Sequence, residues 1–239
     1  MTLPTPPGRD SGDGPCRRSQ LTSAARHLPS PGWVPGGAGP SSRWQMDDRL
    51  HERDEEGTVP HISVPEELPG IVGLLAFKPE TAATISAFTQ QLLRGPSSLT
   101  PGEREIIAAV VSRRNECRFC TMAHTAAAEQ VTGDRDLVDG VIRDPASAPV
   151  GEKMRALLEV AAKVQGSGLD VTDDDIAAAR AAGASDEDLH DTVLVAAAFC
   201  MFNRYVDGLA ANTPTDPATY EIIGRNLADN GYRAPARQP

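Results

Sequence analysis

The chain has 239 residues, a formal net charge of −10 at pH 7 and only 4 cysteines. An excess of 33 Asp and Glu over 23 Lys and Arg repels a phosphate backbone and argues against a nucleic-acid partner. The longest apolar run, VLVAAAFCMF, is too short to span a bilayer, and the N-terminus carries no h-region of a secretory signal, so the expectation is a cytoplasmic protein with no membrane partner.

In chain order, the first 45 residues are about one-third Pro plus Gly, which cannot bury enough apolar surface to offset the entropy of ordering. Residues 1–58 are therefore expected to be a disordered tail, and 59–239 one domain of a size that supports a core. The tail holds both tryptophans, Trp33 and Trp44, and the isolated Cys16. It loosely resembles a transit peptide in its Arg, Ser and scarcity of acids, although its Gly/Pro density argues against an amphipathic one, and Met46 is an alternative start.

Helix punctuation then recurs to the end of the chain. PETAATISAFTQQLLR opens on Pro79 and stops at Gly95. TPGEREIIAAVVSRRN has Thr100 as N-cap, Pro101 at the first helical position and Glu103 at the capping-box position, with Ile106, Ile107, Val110 and Val111 at helical spacing. NECRFCTMAHTAAAEQ predicts a helix capped by Asn115. EKMRALLEVAAKVQG puts Met154, Leu157, Leu158 and Ala161 on one stripe, Thr172 and Asp175 form a second capping box, Ser185 opens a long helix, and Asp216 with Pro217 opens a last one that ends at Gly231. No stretch alternates convincingly as a strand. The fold class read from this pattern is all-α, with about six or seven helices.

The chemistry concentrates in the third of these helices. Cys117, Cys120 and His124 fall at offsets of three and seven, within an arc of roughly 60 degrees, so all three side chains can face one small volume. A cysteine in the first turn meets unpaired backbone N–H groups that favour a thiolate, and a histidine one turn beyond the second cysteine is near enough to exchange a proton with it. Haem attachment of the c type needs the histidine immediately after the second cysteine, where Thr121 stands. A structural zinc needs a fourth ligand, and no second Cys or His pair occurs at finger spacing, so the expectation is no metal and no cofactor. Simple core packing of small thiols is the remaining alternative. Cys200 reads as a small core residue, and His61 and His190 as structural or exposed.

The segment LTPGEREIIAAVVSRRNECRFCTMAHTAAA resembles the core motif of the AhpD-like alkylhydroperoxidases, within the carboxymuconolactone decarboxylase superfamily: a Glu on one helix, then CxxCxxxH opening the next. FCMFNRYVDGLAANTP resembles the Asn-Arg segment of the peroxidase-related branch, which draws attention to Asn203, Arg204 and Asp207. The resemblance implies an all-helical homo-oligomer whose dithiol reduces hydroperoxides and is re-reduced by a thiol or dithiol protein. It implies catalytic roles for Glu105, Cys117, Cys120 and His124. Periodicity alone treats Glu105 as a solvated charge, because it lies beside Ala109 and Ser112, away from the Ile106/Val110 stripe. Two departures bear on activity. The best-known AhpD proteins have a histidine between the cysteines, where Phe119 stands here, and decarboxylase members lack the CxxC pair. The family order makes Cys120 the thiol that attacks peroxide, whereas helix-terminus electrostatics favours Cys117. The alternative function is a redox-sensing or stress-associated oligomer whose disulfide is regulatory.

Overall fold

The computed structural model describes residues 59–232, so the tail expected over 1–58, with Cys16, Trp33, Trp44 and Met46, lies outside the described residues. Among the described residues the regular structure is helical throughout: nine α-helices and one 3-10 turn at Gly168–Asp170. The helices are α1 Ile71–Phe77, α2 Pro79–Arg94, α3 Pro101–Arg114, α4 Arg118–Thr132, α5 Arg135–Arg143, α6 Glu152–Gly166, α7 Asp173–Ala181, α8 Asp186–Gly208 and α9 Pro217–Asn230. No described helix is long and apolar enough to cross a membrane.

Two helices exceed the expected number, and each hid for a local reason. The α1 segment IVGLLAF is apolar on every side and only two turns long, so it shows no polar face to set a period. The α5 segment carries Gly140 inside it and is capped only by Asp134, whose side chain accepts the Leu137 amide at 2.9 Å.

The other starts and stops follow the caps. Thr100 and Glu103 exchange side-chain bonds with each other's backbone, as do Thr172 with Asp175 and Ser185 with Asp188. Between α3 and α4 the expectation fails. Asn115 is not an N-cap but the C-cap of α3. The Glu116 amide donates to the Arg113 carbonyl at 3.0 Å and the Cys117 amide to the Ser112 carbonyl at 3.1 Å, a Schellman closure with Glu116 in the left-handed region at φ 58. Cys117 is thereby moved out to the N-cap position of α4.

Helix α3 is the axis of the molecule: Gly102 and every residue from Arg104 to Ser112 are buried. It packs most extensively on α4 and also against α5, α6 and α8, and α6 closes on α8. Ile107, Val111, Leu157, Val195 and Phe199 join in one apolar cluster among these helices. On the other side of α4 lies α9, brought close by Gly224, where an added Cβ would sit 2.6 Å from the Ala126 carbonyl carbon.

Candidate functional site

The α3–α4 hairpin carries all four residues singled out from the sequence. Cys117 is extended at φ −84, ψ 98, and its carbonyl accepts both the amide and the hydroxyl of Thr121, at 3.0 and 2.8 Å. One turn on is Cys120, then His124 after a further turn. Cys117 is 0 % exposed and Cys120 3 %. Hydrogen bonding to Cys120, then burial, then the charge that Cys120 and Asp207 would place beside it, push the Cys117 thiol up. That outweighs the favourable helix terminus.

His124 is buried, with its ring edge-on to Phe199 at a centroid distance of 4.5 Å and near-parallel to Tyr232 at 6.0 Å. Its Nδ1 lies 2.7 Å from Glu105 Oε2. A carboxylate accepts, so this bond assigns the proton to Nδ1 and leaves Nε2 as the nitrogen that can take one. Among the described residues no hydrogen bond joins His124 to either sulfur.

Glu105 has no solvent exposure, contrary to the surface charge its periodicity suggests. The reason is that α3 is buried on all sides, so no face of it is a surface face. Beside the His124 bond, Oε1 takes Arg94 Nη1 at 2.6 Å and the Tyr232 hydroxyl at 2.6 Å. Burial works to raise the Glu105 carboxyl, but the hydrogen bond from His124 and the charge that ring carries when protonated, the Arg94 charge and the Tyr232 bond together hold it below the ordinary glutamate range. Burial and the Glu105 charge push the Tyr232 phenol well up, which keeps it a donor.

Arg94 and Tyr232 escape the sequence reading. Arg94 looks there like a cation favouring the end of α2, and Tyr232 follows a helix stop; only folding brings residues 127 positions apart onto one carboxylate.

A second polar cluster fixes the turn that delivers Cys117. Asn115 Nδ2 donates to Asn203 Oδ1 at 2.7 Å, Asn203 Nδ2 to Ser112 Oγ at 3.1 Å, and Gln165 Nε2 to Asn115 Oδ1 at 2.8 Å. Asn203 thus serves the hairpin from α8, whereas Arg204 is exposed and bonds the Cys200 carbonyl at 2.8 Å. Asp207 is exposed, and its charge acts on Cys117. Cys200 is half-buried, 3.6 Å from Asn115 Nδ2. His61 and His190 are exposed, the latter against Asp191 at 2.9 Å. Phe119 is buried, its ring 6.1 Å from Tyr220, and a Cβ on Gly70 would meet it at 2.2 Å. No three Asp, Glu, His or Cys side chains among the described residues converge on a metal position.

Residues 79–163 match the carboxymuconolactone decarboxylase family. A peroxidase-related protein from Silicibacter sp. TM1040 is 28 % identical over 70 % of this chain and 95 % of its own, with a TM-score of 0.60. An alkylhydroperoxidase AhpD core protein from Ralstonia eutropha JMP134, also uncharacterized, is 27 % identical over 79 % of this chain and 98 % of its own, with a TM-score of 0.59. An Agrobacterium tumefaciens protein of unknown function shares the fold alone, at 22 % identity over 62 % of this chain and 99 % of its own and a TM-score of 0.52. No curated protein matches the sequence. With a matching family segment over residues 79–163, a matching fold and the helical hairpin that carries CxxCxxxH, the chain is similar to the AhpD-like proteins of the carboxymuconolactone decarboxylase superfamily.

Proposed function

We propose that the protein is a thiol-dependent peroxidase that reduces hydroperoxides through Cys117 and Cys120. The observation that carries this reading is the buried Glu105–His124 pair on the same hairpin as two buried cysteines three residues apart. Cys120 is the attacking sulfur: His124 Nε2 takes its proton through water, the thiolate attacks the O–O bond, and Cys120 becomes a sulfenic acid as the alkoxide leaves and takes a proton back to give the alcohol. Cys117 then attacks the sulfenic sulfur, its proton passing to the departing hydroxide; a disulfide forms and water leaves. A thiol or dithiol protein reduces the disulfide, which suits a cytoplasmic setting where thiols are kept reduced. The similar proteins from Silicibacter and Ralstonia, described as peroxidase-related and as an AhpD core, agree with the reaction class.

A second reading has its own support. Neither sulfur is open to solvent, at 0 % and 3 % exposure, so a protein reductant needs the hairpin to open, and a slow-cycling redox sensor would tolerate that barrier. Steady-state peroxide consumption with a dithiol donor separates the two. The wild type is expected to turn over, Cys117→Ser and Cys120→Ser to stop, Cys117→Ser to leave a dimedone-reactive sulfenic acid on Cys120, and His124→Ala to slow near neutral pH by about 10²–10⁴-fold. One round of disulfide formation without turnover supports the sensor instead.

A further inference from the structure

The carboxylate of the site is gripped from outside its own hairpin. Oε2 of Glu105 faces His124, and Oε1 takes Arg94 and the Tyr232 hydroxyl. Tyr232 reaches it because three contacts seat the chain after α9. Gly231 turns at φ 65, a conformation glycine adopts without strain, and a Cβ there would lie 2.3 Å from Gln90 Oε1. The same Gln90 oxygen accepts the Tyr232 amide at 2.7 Å. One turn further along α2, Arg94 Nη2 donates to the Leu227 carbonyl at 3.2 Å while its guanidinium lies 5.1 Å from the Tyr232 ring centre. Two side chains of α2, four residues apart, therefore hold both the end of α9 and the buried carboxylate. Packing alone would use the ring of Tyr232 and leave its hydroxyl indifferent. Here the hydroxyl touches both members of the pair, at 2.6 Å from Glu105 Oε1 and 3.2 Å from His124 Nδ1.

We infer that Tyr232 is a positioning residue of this site, delivered by the segment that leaves α9. With Arg94 it saturates Oε1, so Oε2 alone is left for His124, and its ring lies parallel to the imidazole. Together these contacts fix the tautomer and the plane of the ring whose Nε2 works in the proton transfer. The relay is then complete only while the post-α9 segment is seated, which makes the end of α9 part of the site.

The test compares wild type with Tyr232→Phe, which keeps the ring and removes only the O–H, and with Gln90→Ala, which keeps the phenol and loosens its seat. Side-chain ¹H–¹⁵N NMR of His124 reads positioning without any turnover. In the wild type the expected signal is a downfield Nδ1–H protected from exchange, and in Tyr232→Phe that proton exchanges about tenfold faster, with Gln90→Ala between the two. The kinetic arm rests on the peroxidase reading: kcat falls roughly tenfold in Tyr232→Phe with KM for the hydroperoxide unchanged. A Tyr232→Phe protein whose His124 proton and kcat equal those of the wild type overturns the inference. Absence of turnover in the wild type sinks the peroxidase reading alone, and the NMR comparison still decides the role of Tyr232.

Discussion

A carboxylate without solvent exposure persists in this core because Arg94, Tyr232 and His124 all donate to it. Losing the negative charge would leave the Arg94 guanidinium buried with no counter-charge at 2.6 Å. Glu105→Gln is therefore expected to cost about 3–5 kcal/mol near neutral pH. The pH dependence has a definite sign. The folded Glu105 titrates below the unfolded residue, so its contribution is fully present above the ordinary glutamate range and is lost as pH falls through the lowered folded value. Urea unfolding over a series of acidic buffers should show the gap between wild type and Glu105→Gln narrowing in that window. A gap that stays constant, or widens on acidification, contradicts the assignment of Glu105 as an ionised, stabilising group.

Among the elements, closures without glycine are the informative ones. Three helix ends close by the same Schellman bonds, after α3, α7 and α8, but only the α7 end uses glycine, Gly183 at φ 94, whereas Glu116 and Ala210 stand at φ 58 and φ 48. The left-handed conformation costs a side-chain-bearing residue about 1–2 kcal/mol, and glycine's extra unfolded entropy takes back about 0.5–1. Ala210→Gly should thus raise stability by about 0.5–1 kcal/mol, read as a higher urea midpoint with an unchanged slope; a lower midpoint would show that the strain is absent. The same chemistry explains what the sequence could and could not disclose. Capping boxes at Thr100 and Thr172 are local patterns and read correctly, as does the Asp216–Pro217 start. The α3 end, lacking glycine, reads as the start of the next helix through Asn115. Cys120 and His124 stand one turn apart on α4 as their spacing reads, whereas Cys117 adjoins Cys120 from the N-cap position. Glu105 was legible only through family resemblance, and Arg94 and Tyr232 not at all, since nothing local to a helix end announces a partner on another helix.

At the scale of the whole molecule, several large apolar side chains remain on the outside: Phe77 at 57 %, Met201 at 51 % and Ile222 at 65 % exposure. Covering such side chains is one use of self-association, and with the family resemblance this supports the proposed homo-oligomer. Light scattering at micromolar concentration should give a mass that is a multiple of the 25.3 kDa chain, and a stable monomer contradicts it. The fold does not by itself decide the reaction, which the proposed reading assigns to the dithiol and its proton partners. Peptide mapping after one equivalent of hydroperoxide tests that claim most directly. Trypsin cuts after Arg118, so Cys117 leaves on residues 115–118 and Cys120 on 119–135. Oxidation is expected to join these two peptides through a disulfide, two hydrogens lighter than their sum, while Cys16 and Cys200 stay fully alkylatable. Recovery of both peptides alkylated and separate would contradict a Cys117–Cys120 redox couple and return the pair to core packing.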